Sequence, residues 1–406
     1  MWMNDFFSKL NRSLIFIILI ILAFGLVYSL YLGDNLRYID EQDYYEIAEN
    51  LSSQFHYALD QETTAFRPPG YPILLSVFLF IGADIFHLRM LNFIFLSLTL
   101  ILLFEMLKTA YSQRAAIISA FLVIGYPVLL YTASTLYPQI FGSFLFILFL
   151  FLLIRETTSN IQYLTLGIIY AILVLTIPIF LLLLPIIVIW MISSKKQIKV
   201  QYLLIFCITL SALIGSWTLR NYLVFDRFIL LSSNAGINLL LGNSEKTQAH
   251  LGTLTDISKY LKESNNMSEV EKNAYYTSEA IHFMLINPLK TTKLYVEKFV
   301  HYFNYTNRLN TVSEKSKMRD LVMLFTYGTL LFLFCTRLFL FPWYPVSRFE
   351  MLLLLLYFGS GLAYAIFFTR IRFRLPFDFL LISMVAIFLE NIILFLQNYK
   401  KTRLQI

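Results

Sequence analysis

Ten long apolar runs dominate this chain, at residues 13–33, 88–108, 114–133, 138–155, 161–177, 179–193, 200–220, 319–341, 349–368 and 375–397. As a helix, about 20 apolar residues match the hydrocarbon thickness of a bilayer. In lipid only helices and closed barrels satisfy their own backbone groups. The runs are continuous, unlike the alternating segments of about 10 residues in a barrel. The chain therefore reads as an all-α polytopic membrane protein with about ten spans. Only 14% of its 406 residues are charged, against about 25% in soluble domains. That excludes disorder, coiled coil and an ordinary cytosolic enzyme. The net charge of +7 does not point to nucleic acid, because the basic residues lie mostly in short segments between spans, where they set orientation. Cys207 and Cys335 both lie inside apolar runs, which argues against a structural disulfide. Lys9 and Arg12 precede the first run without a small-residue cleavage site, so that run reads as a retained span.

Two polar stretches, Gly33 to Pro72 and Asn221 to Arg319, divide the chain. The expected parts are a catalytic membrane module at 1–220 with a first outer loop at 34–87, a helical extracytoplasmic insert at 221–318, and closing spans at 319–406 with an arginine loop at 369–376. In the insert, Ser268 and Glu271 form a capping box for a helix to about Ile286. Asn287-Pro288 ends it and starts another. In that second helix Leu289, Val296, Phe299, Val300 and Phe303 share one stripe, which predicts packing toward the membrane. The segment Tyr71–Ile85 is apolar but spans only about 14 residues, a length typical of interfacial helices. With that segment outside the membrane and a cytoplasmic N-terminus, most basic residues fall inside: Lys108, Arg114, Arg155, the Lys195–Lys196–Lys199 group, Arg348 and the Lys400–Lys401–Arg403 tail. This is the orientation that the positive-inside bias selects.

The charges left over gather on the outer face, where charges beside a bilayer are functional candidates. Tyr44, Ile47, Ala48 and Leu51 follow the i, i+3, i+4, i+7 pattern of an amphipathic surface helix, with Asp40 where an N-cap belongs. Asp40 either caps that helix or acts as a general base whose pKa is raised at the low-polarity boundary. Arg67 precedes Pro68-Pro69-Gly70-Tyr71-Pro72 and is pinned by stiff prolines. It either snorkels or binds an anionic headgroup. Arg370, Arg372 and Arg374 lead to Pro376. In an extended segment all three point to one side, next to a helix N-terminus that favours anions. Three outer arginines run against the orientation bias, so a bound phosphate or pyrophosphate is the favoured reading, and arginine forks suit its oxygens. Trp217, Arg220 and Asn221 close the seventh span and also suit an aromatic belt. Asn234, Gly236, Asn238, Gly242 and Asn243 form a turn-rich segment that either binds sugar or only turns. His56 and His301 are isolated, without a second ligand at metal spacing. There is no P-loop, GxGxxG, Ser-His-Asp arrangement or CxxC pair.

Taken together these motifs have a family look. Asp40-x3-Tyr44-x3-Ala48-x2-Leu51, Arg67-Pro68-Pro69-Gly70-Tyr71-Pro72, Trp217-x2-Arg220-Asn221, Asn238-x4-Gly242-Asn243 and Arg370-x-Arg372-x-Arg374-x-Pro376 occur in order along the chain. The sequence resembles the GT-C membrane glycosyltransferases that use polyprenyl-phosphate sugars. More narrowly it is similar to the glycosyltransferase family 39 group, with the protein O-mannosyltransferases and the bacterial aminoarabinose transferase as relatives. The resemblance implies a GT-C-like bundle with juxtamembrane helices in the first outer loop. It implies transfer of a sugar from a polyprenyl-phosphate donor to a lipid, glycan or protein acceptor. The active site is expected on the extracytoplasmic face of a cell membrane, bacterial inner or plasma membrane being the expected setting, with membrane lipids as further partners and no nucleic acid. Asp40 matches the family's first-loop catalytic acid and Glu41 the second acid of its pair. Arg67, Arg370, Arg372 and Arg374 are the expected donor-phosphate clamp. Tyr44, Arg220, Asn221 and Asn243 are acceptor or structural candidates. Relatives usually carry another acid in the second outer loop, whereas Thr132 to Gln139 has none. A divalent metal is thus left open, and no other cofactor is implied. The rival classes are a flippase of lipid-linked sugars, which predicts polar residues deep in the spans, and a polysaccharide polymerase or ligase, which lacks the first-loop pattern.

Overall fold

The structure is a computed structural model that describes residues 11–155, 159–194, 199–306, 317–342 and 345–403. Helix α1 (Arg12–Leu32) opens with Asn11 accepting the Ser13 amide, a side-chain cap of the usual kind. The amphipathic α2 (Ile39–Gln54) follows, then a hairpin of β1 (Ala58–Leu59) and β2 (Glu62–Thr63). Asp60 and Gln61, at φ 51° and 64°, make its tight turn. Next come α3 (Gly70–Phe80), α4 (Ile85–Ala110), the bent pair α5 (Gln113–Ile124) and α6 (Pro127–Ala133), α7 (Pro138–Leu153), α8 (Asn160–Thr176), α9 (Phe180–Ser194) and α10 (Val200–Phe225). The insert holds α11 (Ala235–Gly242), α12 (Ser258–Glu263), α13 (Glu269–Ile286) and α14 (Pro288–Tyr302). The chain closes with α15 (Lys317–Phe339), α16 (Arg348–Ile366) and α17 (Ile371–Arg403).

Every apolar run is helical, but not every one is long enough to cross a membrane. Among the described residues six helices are (α1, α4, α10, α15, α16 and residues 371–397 of α17), or seven if α5 and α6, bent by 64°, are one span. The fourth, fifth and sixth expected runs form the shorter α7, α8 and α9, which fall below that length, so the described helices do not reach the expected ten spans. Pro127 breaks the third run and Pro138 sits in the first turn of α7, positions where proline ends or starts helices. α3 has 11 residues, about 16 Å at helical rise and half a hydrocarbon core, which suits the interfacial placement expected of it. Gly82, at φ +88°, turns the chain from α3 into α4.

The connections after α1, α6, α8, α10 and α16 all contribute to one cavity, so they share one end of the bundle. At the other end Arg348 donates to the Ser193 carbonyl and Ser112 to Glu390. Lys108 and Arg114 flank that Ser112 end. Lys9, Lys195, Lys196 and the side chains of the Lys400–Lys401–Arg403 tail lie outside the described residues. α17 runs through the middle, with Phe377, Phe379, Leu380, Leu381 and Ile382 fully buried.

The insert is fastened to the bundle through a buried lysine. Lys298 of α14 donates to the carbonyls of Gly242 (3.0 Å) and Phe367 (2.8 Å), and to Asn243 Oδ1 (3.3 Å). It thus stands at the C-terminal ends of α11 and α16, where the helix dipoles favour a cation. Burial pulls its ammonium down to about 8, which leaves it charged at neutral pH. The capping box at Ser268 and Glu271 forms as expected. The stripe on α14 splits, however. Leu294, Lys298 and Tyr302 are its buried face, and Phe303 packs on Tyr357 and Phe358. Leu289, Val296 and Val300 stay exposed, at 87%, 54% and 66%, because the lysine contacts set the helix's rotation. Gly242 is required at the joint: a Cβ there would lie 1.8 Å from the Phe367 carbonyl oxygen. Gly242→Ala is expected to release the insert from α16, seen as faster limited proteolysis of residues 226–302 in membranes; unchanged cleavage would remove this account of the joint.

Candidate active site

Helix α2 begins two residues earlier than an Asp40 cap would have it. Tyr38 is the N-cap, and Asp40 and Glu41 are the second and third residues of the helix. Asp40 therefore keeps both carboxylate oxygens for other partners. Arg67 Nη2 donates to Oδ1 at 2.5 Å, and Arg372 Nη1 pairs with Oδ2 at 2.5 Å. Arg67 also grips Asp43 Oδ2, from Nη2 at 2.6 Å and Nε at 3.1 Å. Rings hold both guanidinium groups in place. Arg67 lies 5.2 Å over Tyr44, and Arg372 lies 4.9 Å over Tyr137 and 5.3 Å over Phe373. Pro68 and Pro69 deliver Arg67 from a stiff segment. Four charges thus cancel in one partly buried cluster.

That arrangement reverses the expected electrostatics of Asp40. Burial pushes its carboxyl up, but Arg372 and then Arg67 outweigh burial and hold it well below the usual carboxylate range. Asp40 is an ionised anion with two cations, not a carboxyl poised near neutrality.

The cluster opens on a cavity of about 570 Å³ with two faces. Asp40, Arg67, Arg372 and Gln139 supply polar walls, and Ile177, Leu181, Leu182 and Leu230 an apolar one. The insert covers it with Asn234, Asn238, Thr253 and Asn273. A second apolar groove runs between α9 and α10 and shares Leu181 and Leu230 with the cavity.

Other expected site residues are placed elsewhere. Glu41 is fully buried and accepts the amides of Arg37 (3.0 Å), Tyr38 (3.2 Å) and Leu136 (2.9 Å). It tacks the first outer connection to the second and does not line the cavity. The three arginines diverge because the chain is helical from Ile371, and residues two apart in a helix point about 200° apart. Arg372 reaches Asp40. Arg370 donates to Thr253 of the insert. Arg374 turns into the bundle, fully buried, with Nε on Asp378 Oδ1 at 2.9 Å and Nη1 on the carbonyls of Tyr302 and Asn304, both at 2.8 Å. It stacks 3.4 Å over Tyr327, and Tyr126 donates to the other Asp378 oxygen at 2.8 Å. Tyr44 lines the cavity and meets Tyr71 edge-on. Arg220 and Asn221 tie the end of α10 to the carbonyls of Thr64 and Ile229, and Asn243 donates to the carbonyls of Leu239 and Ile366. All three sit in joints.

Asp43 and Gln139 join the site without having been read from the sequence. Asp43 had a signal, since it stands three residues after Asp40 on the same helical face. Gln139 had none. His56 and His301 each bond one threonine, Thr63 and Thr369. Among the described residues no three His, Cys, Asp or Glu side chains are grouped to hold a metal ion. The donor set explains why: both Asp40 oxygens face guanidinium groups, and Glu41 accepts backbone amides instead. The residues present do not fit a divalent ion.

Residues 66–218 match the family described as dolichyl-phosphate-mannose-protein mannosyltransferase. The archaeal oligosaccharyltransferase AglB from Archaeoglobus fulgidus, in complex with an inhibitory peptide and a dolichol-phosphate, superposes at a TM-score of 0.52 over 96% of this chain, with 14% identity. The chain therefore shares the fold of the aligned part of AglB. An Archaeoglobus fulgidus oligosaccharyltransferase in the apo form gives a TM-score of 0.52 at 15% identity over 95% of this chain. This chain spans about half of each of these two oligosaccharyltransferase chains, 52% in both cases. ArnT from Cupriavidus metallidurans bound to undecaprenyl phosphate is more distant, with a TM-score of 0.45, 10% identity, and 92% of this chain aligned to 77% of that one. No curated protein sequence matches the chain.

Proposed function

We propose that this chain transfers a sugar from a polyprenyl-phosphate donor to an extracytoplasmic acceptor hydroxyl or amine. The observation that carries the reading is Asp40 held between Arg67 and Arg372 at the mouth of a cavity with one apolar wall. A lipid-linked phosphate needs cations for its head and an apolar surface for its tail, and the cavity has both. The donor phosphate competes with Asp40 for the two guanidinium groups. Once they turn to phosphate, Asp40 loses the contacts that depress its pKa, and its proton affinity rises toward the ordinary carboxylate value. It then accepts the proton of the attacking hydroxyl. The acceptor oxygen forms a bond to the anomeric carbon as the bond from that carbon to the phosphate oxygen breaks. The electron pair leaves with the phosphate, where Arg67 and Arg372 stabilise it. Attack from the face opposite the phosphate inverts the anomeric centre.

The polyprenyl tail takes the groove between α9 and α10, which continues from the cavity over Leu181 and Leu230. The insert supplies the wall that meets the acceptor, so the roles drawn here for 1–220, 221–318 and 319–406 are donor site, acceptor site and phosphate clamp. A cytoplasmic N-terminus puts the cavity on the extracytoplasmic side, because Lys108, Arg114 and Arg348 belong to the opposite end.

The test is transfer in membranes carrying the full chain, using a radiolabelled polyprenyl-phosphate hexose with and without added acceptor glycolipid, glycan or peptide. Label in a new covalent product is expected. Label that crosses the membrane without bond formation would instead mark a flippase. Arg372→Ala should raise the donor KM by about 10–100-fold, the worth of a hydrogen bond to a charged group. Arg372→Lys should not restore it, since an ammonium lacks the planar fork. An unchanged donor KM in both would remove Arg372 from the clamp.

A further inference from the structure

Two residues that line the cavity each carry a buried polar atom without a hydrogen-bond partner, Gln139 Oε1 and Arg372 Nε. Native folds pair nearly all such atoms, and the exceptions call for an explanation. Gln139 is only 8% exposed, in the first turn of α7 just after Pro138. Arg372 has its Nη1 on Asp40 and lies over the ring of Tyr137, two residues before Gln139. The two atoms therefore belong to adjoining parts of one wall, beside the Asp40 cluster.

Their chemistry is complementary. The carboxamide oxygen only accepts, and the guanidinium N–H only donates. A hydroxyl does both, so it is the group whose chemistry suits either atom. A phosphate oxygen lacks the proton that Gln139 Oε1 needs, and a prenyl chain satisfies neither. Asp40 already faces the acceptor's hydroxyl in the reading above, and Arg372 faces the donor phosphate. The hydroxyl nearest that phosphate belongs to the transferred sugar.

We propose that Gln139 Oε1 and Arg372 Nε form a subsite that reads one hydroxyl of the sugar on the donor. This rests on the transfer reading and adds a specificity-determining residue to it. A site built to hydrogen-bond a hydroxyl rejects the analogue lacking it strongly, because its own polar atoms are then left unpaired.

The experiment measures kcat/KM in membranes with the full chain, for a radiolabelled polyprenyl-phosphate hexose and each of its monodeoxy analogues. Wild-type protein is expected to disfavour one analogue by about 100-fold or more. Gln139→Leu should lose about 10–100-fold on the parent hexose and treat that analogue and the parent alike. Gln139→Glu retains an acceptor and should keep the discrimination. Binding of polyprenyl phosphate without sugar should be unchanged in both variants. Wild-type protein that accepts every monodeoxy donor equally overturns the subsite, with no variant needed. So does a Gln139→Leu variant whose loss falls equally on all donors. Wild-type protein that binds polyprenyl phosphate yet transfers none of the sugars overturns the transfer reading itself.

Discussion

Replacing Asp40 with Asn is expected to lower kcat by about 10²–10⁴-fold, the range of a positioned acid or base, without raising the donor KM. The carboxamide cannot take the acceptor's proton. It also leaves Arg67 and Arg372 without their shared anion, so a donor phosphate meets less competition, and tighter donor binding is the natural companion of lost turnover. Initial rates at several donor concentrations separate the two effects, and an active Asp40→Asn variant would end the base assignment. The pH profile adds a second check. In the free protein the two arginines hold the Asp40 carboxyl below the usual carboxylate range. Its folded-state pKa is thus depressed, and the stability from these pairs is present above the unfolded value near 4 and lost only as pH falls through the lower folded value. kcat/KM reports the free enzyme and kcat the donor complex. If phosphate draws the arginines away, the acid limb of kcat lies at higher pH than that of kcat/KM. Coincident limbs would show that Asp40 keeps both partners through turnover.

Arg374→Ala is expected to cost folding, where Arg372→Ala costs donor affinity. Arg374 and Asp378 are both fully buried and pair at 2.9 Å. Removing one partner of such a pair strands the other charge, at about 3–5 kcal/mol, a large part of the roughly 5–15 kcal/mol that holds a domain folded. The measurement is the fraction of protein that stays monodisperse in detergent on heating. The double change Arg374→Leu with Asp378→Leu removes both charges and should recover much of the loss, because apolar replacements of buried pairs are often neutral. If Arg374→Ala were stable and instead raised the donor KM, Arg374 would belong to the clamp.

The difference between these neighbours marks how far the sequence could be read. The bundle was legible because ten apolar runs leave few other folds, and Ser268 and Pro288 set helix starts as capping chemistry dictates. Asp40 and Arg67 were legible because charge is scarce enough for each one near a bilayer to stand out. The fate of the three arginines was not. It turns on where α17 begins, and an onset at Ile371 instead of near Pro376 sends Arg372 and Arg374 to different sides. The sign of the Asp40 shift was hidden for a related reason, since the cations that decide it come from Arg67 and from the far end of the chain. Glu41 looked like a second catalytic acid, and only the amide of Leu136, brought in from another connection, reveals a joint. Gln139 carries no charge to draw attention. The carboxylate of Asp378 inside the last apolar run was readable as an intramembrane charge in need of a partner.

The cavity takes a wall from each of five connections, from Asp40 after α1 to Arg372 after α16. Closing contacts across so much sequence is slow and comes late in folding. During synthesis Asp40 meets Arg67 early but waits for Arg372 until the last span enters the bilayer. A nascent or truncated chain would then hold its acid half-neutralised and its lipid groove unfinished. On the transfer reading, a chain whose last span has not yet entered the bilayer therefore lacks half of the clamp proposed for the donor phosphate.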